Sequence, residues 1–413
     1  MKFLLLVFCL VCLGSADKFA VLVSGSYGYW NYRHQADVCH AYYILTLHGV
    51  PSENIILFSY DDAANSSMNP FPGKLFNKPG NNSLDVNAFC KKDYTGDLVT
   101  PQNFLNVITG KAEKMNGGKV LNSTAKDHVF INFVDHGAPG LISFPNNYLF
   151  AHQLIEALEE MHFKNMYSKL VVYLEACESG SMFEGMLDED LGVYSVTASN
   201  SNESSWGTYC PPYDKVNGVS LGTCLGDLFS VNWMQNTNSL GFNYESLGTQ
   251  FEVVKNLTDL SHVSRFGNFS YLSDFVSDFI GKSQQTQELP HYFKNSVDSR
   301  EIKLEYLYQL YKKNPTHSNA QNLIEEILTR QKENKVFSEL NSKFKNHYLG
   351  KTSKVTNTVC LKAALEQYEE HCGKLSENGL KYIRVLANSC EANIPLGTIK
   401  QHIYTSCKQL SYK

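Results

Sequence analysis

The chain has 413 residues, of which 43% are hydrophobic and 19% charged, and its formal net charge is −5 at pH 7. This composition is typical of a globular protein, and the length is sufficient for two or three domains. A calculated isoelectric point near 6.2 and the lack of a basic tract with interleaved aromatic residues exclude the usual nucleic-acid-binding classes. After the amino-terminal segment, no apolar run approaches the roughly 20 residues that a membrane-spanning helix needs.

The first sixteen residues have the pattern of a secretory signal peptide. Lys2 is followed by an apolar run, and the small residues Gly14 and Ala16 stand where signal peptidase reads the chain. We therefore expect cleavage after Ala16, and a mature protein that is lumenal or secreted.

Cysteines and glycosylation motifs support this compartment. Two of the eleven cysteines lie in the signal segment, so nine remain, and at least one is unpaired if the others form disulfides. Four of the nine lie in the last 54 residues, which indicates two disulfides in a small domain and leaves their pairing open. The six Asn-x-Ser/Thr motifs begin at Asn65, Asn81, Asn122, Asn202, Asn256 and Asn268.

Charge is divided unevenly along the chain. Residues 321–413 carry a net charge of +5, from 14 basic and 9 acidic residues, and the first 320 residues therefore carry −10. Two interpretations are open. The two parts are either independently solvated surfaces, or a basic C-terminal domain docked on an acidic body.

Short apolar segments alternate with helical patterns in the acidic part. The strand-like segments are 19–25, 55–62, 128–137, 169–180 and 193–200. They are apolar on both faces, as buried parallel strands are, and residues 35–48 and 149–162 have helical spacing. We predict a doubly wound α/β sheet with helices on both faces, whose functional site lies beyond the carboxyl ends of its strands.

Three chemically distinctive strings fall near strand ends in this arrangement. "NYRHQAD" follows the first strand, "DHG" ends the third and "EACESG" ends the fourth. The topology places the Cys177 thiol near His136, which can act as its base against the opposing effect of Glu175 and Glu178. Backbone N–H groups of Gly137 and Cys177 are candidates for an oxyanion hole. The alternative is that Cys177 is a buried packing residue.

The resemblance to a known family rests on long, ordered motifs. Besides the three strings, the sequence contains "SGSYGYWNYRHQADVCHAY", "KDYTGDLVTPQNF", "EACESGSMFEG", "ESSWGTYC" and "TCLGDLFSVNWM". Together these resemble the legumain family of cysteine proteases, the asparaginyl endopeptidases or vacuolar processing enzymes, whose fold is related to that of caspases. The resemblance implies Cys177 as nucleophile, His136 as general base and Asn31 as the residue that orients the histidine. Alternatively, Asn31 is a turn residue before a helix.

The resemblance also implies a pocket that selects an asparagine side chain. A carboxamide presents an acceptor and a two-hydrogen donor, so such a pocket needs both a donor and an acceptor. Arg33 supplies donors, Glu175 and Asp227 supply acceptors, and His34 and Ser204 match family positions that line the same site. The implied reaction is peptide hydrolysis after Asn, and after Asp at acid pH, through an acyl-enzyme. Peptide ligation from the same intermediate is the alternative, and a silent binding protein is a distant third.

The family pattern makes further expectations about cysteines and one aspartate. The implied disulfides are Cys360–Cys390, Cys372–Cys407 and Cys210–Cys224, and Cys39 and Cys90 are then expected to be unpaired and buried. Asp135, beside the base, is either a modified or reactive aspartate linked to ligation, or a carboxylate satisfied by backbone donors.

The C-terminal region has helical spacing throughout and resembles the family's inhibitory prodomain. We predict a catalytic domain at 17–282, a linker or activation peptide at 283–320 and the helical prodomain at 321–413. Acid is expected to neutralise body carboxylates that hold the prodomain, provided that docking depresses their pKa. Because Asn314 precedes Pro315, a poor scissile position, the expected activating cut follows Asn319, with Asn322 and Asn295 as the alternatives.

The remaining expectations concern partners and location. The resemblance implies protein and peptide substrates, the chain's own prodomain as an intramolecular inhibitor, cystatin-type inhibitors, and a lysosome or vacuole as the destination, with secretion as the alternative. After the signal segment, in which Cys9 and Cys12 form a C-x-x-C, the sequence has no H-E-x-x-H or C-x-x-C motif, and we expect neither a cofactor nor a metal.

Overall fold

The computed structural model describes residues 16–238, 242–282, 295–344 and 354–411. The predicted signal peptide thus lies outside the described residues except for Ala16. In chain order the strands are β1 (Lys18–Ser24), β2 (Ile55–Phe58), β3 (His128–Val134), β4 (Gly137–Ala138), β5 (Leu141–Ser143), β6 (Tyr148–Phe150), β7 (Lys169–Glu175), β8 (Val193–Thr197), β9 (Trp206–Thr208), β10 (Lys215–Val216), β11 (Val219–Ser220), β12 (Gly226–Asp227), β13 (Ser264–Gly267) and β14 (Val297–Asp298). The α-helices are α1 (Tyr32–Leu47), α2 (Pro101–Ile108), α3 (Ala151–Phe163), α4 (Leu228–Thr237), α5 (Leu247–Leu257), α6 (Ser277–Ile280), α7 (Ile302–Lys313), α8 (His317–Lys343), α9 (Thr358–Cys372), α10 (Ile383–Glu391) and α11 (Leu396–Ser411).

Six strands form the central sheet, in the order β13-β8-β7-β3-β1-β2. Neighbouring strands pair in parallel, except that β13 runs antiparallel to β8 at one edge. The predicted mostly parallel sheet is confirmed. Two strands end earlier than predicted, β3 at Val134 and β7 at Glu175, so the chain leaves the sheet just before His136 and Cys177.

Alternate strand residues face two hydrophobic cores. Val21 and Val23 of β1 pack in the core that includes α2 and α3, whereas Ala20 and Leu22 pack in the core that includes α1 and α4. A fully buried Val or Leu side chain contributes about 1.5–3 kcal/mol, so both layers stabilise the sheet. Helices therefore cover both faces, as the apolar runs predicted.

Helices α8 to α11 form a second unit with its own core, docked on the catalytic domain. Val336 of α8 and Leu361 of α9 are buried in a cluster that also contains Leu141 and Phe150 of the catalytic domain. One continuous apolar core therefore spans the boundary. The uneven charge division left two arrangements open, independently solvated surfaces or a docked C-terminal domain. The structure shows the docked arrangement.

Polar contacts at this boundary include hydrogen bonds from basic side chains of the C-terminal unit to carbonyl oxygens of the body. The Lys374 Nζ donates to the Asn146 carbonyl at 2.6 Å, and the Arg384 guanidinium donates to the Ser201 carbonyl. These two basic side chains of the C-terminal unit therefore bind backbone carbonyl oxygens of the body and not its carboxylates.

Four disulfides connect eight of the nine mature cysteines. The implied pairs Cys360–Cys390, Cys372–Cys407 and Cys210–Cys224 are confirmed. The expectation for the last two cysteines is wrong, because Cys39 and Cys90 form a disulfide with Cα atoms 5.0 Å apart. Cys39 is on α1, and the short helical turn that precedes Cys90 packs against that helix.

The predicted linker at 283–320 is only partly a linker. Residues 283–294 lie outside the described range, but 302–313 form α7, in which Ile302 and Leu307 are buried. The next helix begins at His317, four residues before the predicted boundary, because the Thr316 side chain caps it by accepting a hydrogen bond from the Asn319 N–H. Asn319, the expected cleavage position, therefore lies in the first turn of a helix.

The glycosylation motifs lie at the surface of the catalytic domain. Five of the six asparagines are exposed, and Asn268 is half-buried. None of the helices in the described ranges is both long and apolar enough to cross a membrane.

Candidate active site

The ends of β3 and β7 build the centre of the site. Val134 pairs with Glu175 in the parallel sheet, and the Asp135 N–H donates to the Glu175 carbonyl at 3.0 Å. The next residues of both strands, His136 and Cys177, therefore leave the sheet side by side. The strand register thus brings the two segments that carry the predicted base and nucleophile together at one edge of the sheet.

Gly137 allows the histidine segment to lie against the cysteine segment. A Cβ at this position would lie 2.3 Å from the Cys177 carbonyl oxygen and 3.0 Å from the Ala176 Cβ. Any side chain would clash with backbone there, so glycine is required for this approach. Glu178, the residue after Cys177, has a φ of 47°, which lies in the left-handed region, so the backbone turns sharply there.

The Cys177 thiol is buried and protonated in this form. The Ser205 N–H donates to the Cys177 sulfur at 3.3 Å, and the Ser205 hydroxyl lies 3.7 Å from the same atom. Burial raises the pKa of Cys177 to about 11, although the Arg300 charge opposes this effect. Cys177 is also the one cysteine in the described residues outside a disulfide, as the odd count predicted.

His136 is held by Asn31 through one ring nitrogen. Its Nε2 lies 2.9 Å from the Asn31 Oδ1, while its Nδ1 has no hydrogen-bond partner in the described part of the chain. Asn31 precedes α1 directly, and its Nδ2 donates to the Tyr27 carbonyl at 3.1 Å. With Nε2 as the proton donor to Asn31, the Nδ1 lone pair is left for proton transfer.

Glu377 of the C-terminal unit is inserted beside the histidine, and no sequence motif indicated this contact. Its Oε1 accepts hydrogen bonds from the Asn31 Nδ2 at 2.6 Å and the Trp30 Nε1 at 2.8 Å, and lies 3.5 Å from the His136 Nε2. Burial alone would raise the pKa of Glu377, but the charge of His136, the hydrogen bonds and Lys303 hold it well below its usual range. A single carboxylate of the C-terminal unit thus lies against both His136 and Asn31.

The predicted specificity residues form one buried polar group. Arg33 is fully buried, and its Nε donates to the Asp227 Oδ1 at 2.8 Å. The Glu175 Oε2 accepts two hydrogen bonds from Ser230, at 2.8 and 2.9 Å. Burial, and then the Asp227 charge, raise the pKa of Glu175 well above its usual value.

Three atoms of this group have no hydrogen-bond partner in the described residues. They are the Arg33 Nη2, the Glu175 Oε1 and the Asp227 Oδ2. Unpaired buried polar atoms are rare and costly, about 1–3 kcal/mol each, so their presence together indicates a ligand that supplies the missing partners.

The other two predicted binding residues are placed differently. His34 is buried, with its Nδ1 2.6 Å from the Ser26 hydroxyl and its Nε2 3.5 Å from the Asp227 Oδ2. Ser204 is half-buried, and the contacts with the thiol come from its neighbour Ser205. The predicted string therefore does contact the thiol, but through Ser205 and not through Ser204.

A segment after the catalytic domain crosses the site as an added strand. β14 pairs antiparallel with β9, with Val297 opposite Gly207, and the Ser299 N–H donates to the Ser205 carbonyl at 3.1 Å. The Arg300 guanidinium then donates to the Gly137 carbonyl at 3.2 Å and forms an ion pair with Glu178.

Helix α7 continues this cover over the specificity group. The Ile302 Cδ1 would lie 2.5 Å, and the Arg33 Cδ 3.2 Å, from a Cβ placed on Gly207. An apolar side chain therefore packs at the rim of the buried polar group. No sequence pattern indicated this strand or this contact, because both depend on pairing between segments about 90 residues apart.

Comparison with known families identifies two matching regions of the chain. The Peptidase C13 family model matches residues 18–282, and the legumain prodomain model matches residues 307–407. The chain belongs to the peptidase C13, or legumain, family. It is accordingly a cysteine endopeptidase of the legumain type with a C-terminal prodomain.

Named relatives show the same extent of similarity. The vacuolar-processing enzyme delta-isozyme of Arabidopsis thaliana is 40% identical, over 94% of this chain and 90% of the relative. Legumain of Canavalia ensiformis is 36% identical, over 94% of this chain and 88% of the relative. Among solved structures, caspase-1 of Spodoptera frugiperda matches with a TM-score of 0.38 and 10% identity, over 66% of this chain and 93% of that chain.

Proposed function

We propose that this protein hydrolyses peptide bonds after asparagine, and after aspartate at acid pH, and that it is made as a latent zymogen. The observation that carries the specificity is the buried group with one unpaired cationic donor, the Arg33 Nη2, and two unpaired acceptors, the Glu175 Oε1 and the Asp227 Oδ2. An asparagine carboxamide supplies one acceptor and one two-hydrogen donor, which is the complement of this set.

The reaction begins with transfer of the thiol proton to the Nδ1 of His136, whose other nitrogen is held by Asn31. The thiolate attacks the carbonyl carbon of the bound asparagine, and the backbone N–H groups of Gly137 and Cys177 stabilise the oxyanion. The imidazolium then protonates the leaving amine. Water, activated by the same His136, hydrolyses the thioester and restores the thiol.

Acceptance of aspartate at acid pH follows from the same donor and acceptors. A protonated carboxyl presents a hydroxyl donor and a carbonyl acceptor, as a carboxamide does, whereas an ionised one offers acceptors alone. An ionised side chain would also place a negative charge beside Glu175 and Asp227. Cleavage after Asp is therefore expected to grow as the pH falls through the range in which a substrate Asp is protonated, around its ordinary pKa of about 3.9.

Latency follows from the cover on the cleft. The β14 segment pairs with the strand that a substrate would use, Arg300 binds Glu178 next to the nucleophile, and Glu377 contacts the base. The curated relatives named vacuolar-processing enzymes support a vacuole or lysosome as the site of action. Activation then requires removal of these segments from the cleft.

The test uses three peptides that differ at one internal residue, Asn, Asp or Gln. After acid incubation of the protein, mass spectrometry of the products at pH 4 and pH 6.5 should show cleavage after Asn at both values and after Asp mainly at pH 4. Addition of an amine nucleophile separates hydrolysis from ligation. Equal cleavage after Gln and Asn would contradict the proposed pocket.

A further inference from the structure

A group of three ligand-type side chains lies beside the proposed catalytic base. His34, Asp135 and His136 each offer one nitrogen or oxygen atom, and these three atoms lie within 4.8 Å of one another. All three residues are buried, with exposed fractions of 1%, 3% and 4%. The sequence did not suggest this group because His34 lies on α1, far along the chain from the loop after β3.

Each histidine has an oxygen atom near its Nε2. The His136 Nε2 lies 2.9 Å from the Asn31 Oδ1, and the His34 Nε2 lies 3.5 Å from the Asp227 Oδ2, without a hydrogen bond between them. A hydrogen bond from Nε2 to Asn31 leaves the lone pair of the His136 Nδ1 available to a metal ion. The His34 Nδ1 contacts the Ser26 hydroxyl, and its lone pair becomes available to a metal ion when that hydroxyl is displaced.

These lone pairs are close to a carboxylate with unused acceptor capacity. The His34 Nδ1 lies 3.5 Å from the Asp135 Oδ1, and neither Asp135 oxygen nor the His136 Nδ1 has a hydrogen-bond partner in the described part of the chain. Zn²⁺ binds nitrogen and oxygen ligands at about 2.0–2.2 Å, and in tetrahedral geometry such ligands are about 3.4 Å apart. The distance between the His34 Nδ1 and the Asp135 Oδ1 is close to that value, and all three ligand atoms lie within 4.8 Å of one another.

We propose that His34, Asp135 and His136 bind a divalent transition-metal ion, Zn²⁺ in particular, and that the bound ion inhibits the peptidase. Imidazole and carboxylate ligands suit Zn²⁺, and three protein ligands leave a fourth position for water. The Ser26 hydroxyl, 2.6 Å from the His34 Nδ1, is the contact that the ion would displace.

An ion can reach the group through a cavity of about 200 Å³ whose lining includes Ser26, Asp135, His136 and Glu377. Inhibition is expected because the ion would use the Nδ1 atom of His136 as a ligand. This expectation rests on the proposed role of His136 as the base. A metal bound at the His136 Nδ1 occupies the lone pair that would accept the proton of Cys177. No proteolysis, oxidation or other covalent step is involved, so a chelator should reverse the effect.

The test measures binding in the full chain carrying Cys177→Ala, which removes both turnover and the thiol as a ligand. Equilibrium dialysis with Zn²⁺ should give one equivalent bound. Co²⁺ in place of Zn²⁺ should give visible ligand-field bands of low coordination number without a thiolate charge-transfer band. Adding Asp135→Asn or His34→Gln to that chain should weaken binding at least tenfold, since losing even an outer-shell partner of a metal ligand costs about 10–100-fold.

Two controls separate this site from others. His262→Gln changes an exposed histidine paired with Glu203 and should leave the binding unchanged. Circular dichroism must show that each variant is folded. Unchanged Zn²⁺ affinity in folded Asp135→Asn and His34→Gln variants, or no bound equivalent in the Cys177→Ala chain, would overturn the site.

Inhibition is measured separately, as turnover of the acid-treated protein with Zn²⁺ and then with excess chelator. The expected result is loss of turnover that the chelator restores, with a Zn²⁺ requirement at least tenfold higher in Asp135→Asn. Binding without inhibition would refute the inhibitory role and the assignment of His136 as base. If the protein without these substitutions binds no Zn²⁺ and its turnover is normal, the metal site is refuted and the proposed peptidase function is not.

Discussion

At the scale of single residues, the question is how the Cys177 thiol can ionise between two carboxylates, Glu175 and Glu178. Burial raises the pKa of Cys177 to about 11, so the thiol needs a base for ionisation, and we propose His136 as that base. The carboxylates on either side, Glu175 and Glu178, are both committed elsewhere, one to the specificity group and the other to Arg300. This explains why a nucleophile can lie between two acidic residues.

Replacing Cys177 by Ala should abolish turnover of an asparaginyl substrate and leave the fold intact, because only one sulfur atom is removed. Steady-state assay and thermal unfolding of the full chain after acid treatment provide the two measurements. Ser205→Ala is the matched control, since it removes a hydroxyl 3.7 Å from the sulfur and leaves the thiol in place. Turnover retained by Cys177→Ala would refute the assignment of the nucleophile.

Glu377 provides a prediction about pH. Its docked pKa is depressed, so the carboxylate stabilises docking above the free pKa of about 4.5 and loses that contribution as the pH falls toward the docked value. Hydrogen bonds to a charged group are worth about 1.5–3 kcal/mol. Glu377→Gln should therefore activate more readily at pH 6.5, and the acid dependence below about pH 4.5 should flatten.

The measurement is the rate at which activity develops as a function of incubation pH. Glu366→Gln is the control, because Glu366 is an exposed carboxylate of the same helical unit. An activation profile of Glu377→Gln identical to that of the unaltered chain would show that this carboxylate does not hold the prodomain.

At the scale of elements, the proposed latency depends on one short strand. β14 pairs with β9 in the antiparallel direction and places Ser299 next to Ser205, which in turn contacts the thiol. Ser299 has no carboxamide group to complement the unpaired donor and acceptors of the proposed specificity group. Under the proposed specificity, the segment therefore occupies the cleft without being a substrate.

Ser299→Asn should convert this segment from inhibitor to substrate, because it supplies the carboxamide at the position next to the nucleophile. We expect cleavage between 299 and 300 on acid incubation, so that N-terminal sequencing of the released fragment begins at Arg300. Ser299→Ala should leave the segment intact. An uncut Ser299→Asn segment in a protein that cleaves asparaginyl peptides would contradict the proposed register.

The activating cut after Asn319 remains a prediction, and the structure adds a condition to it. Asn319 is in the first turn of α8, which must unwind before a protease can bind it in extended form. Thr316→Ala removes the N-cap, which costs the helix about 1 kcal/mol, and should speed the cut roughly fivefold. Time-resolved mass spectrometry should detect a new terminus at Ala320, absent in Asn319→Gln; a terminus elsewhere would refute the site.

At the scale of the whole molecule, the carboxylate that can drive the proposed acid release is not where the sequence analysis expected it. The expected carboxylates with a depressed pKa were on the acidic body. In the structure, burial raises the pKa of Glu178 in that body, against the opposing charges of Arg300 and Arg384. A raised pKa contributes stability to the docked form at low pH and loses it as the pH rises. The carboxylate with the required sign is Glu377, which belongs to the basic unit.

The Cys39–Cys90 disulfide should stabilise the catalytic domain by tying α1 to the chain after β2. It closes a loop with a sequence separation of 51, which corresponds to about 4 kcal/mol in the chain-entropy model. Cys90→Ser should lower the thermal midpoint by about 8–16 °C. Calorimetry measures this, with Thr95→Ala, an exposed position outside the glycosylation motifs, as the control. An unchanged midpoint in Cys90→Ser would show that the bridge adds nothing.

The sequence by itself determined the features that depend on local pattern and parallel topology. Apolar runs fixed the sheet, and the strand ends brought His136 to Cys177 because neighbouring parallel strands end at the same edge. The motif strings identified Arg33, Glu175 and Asp227 before any coordinates. These residues need only the correct strand or helix to reach the site.

Only the tertiary structure decided the contacts between segments that are distant along the chain. The insertion of Glu377, the added strand at 297–298, the Cys39–Cys90 bridge and the His34–Asp135–His136 group each require two elements to dock in one particular register. Docking is set by the burial of apolar surface summed over many side chains, which no local pattern encodes. For this reason the chemistry of the site and the presence of a prodomain were readable in the sequence, whereas the contacts that the covering segments make in the site were not.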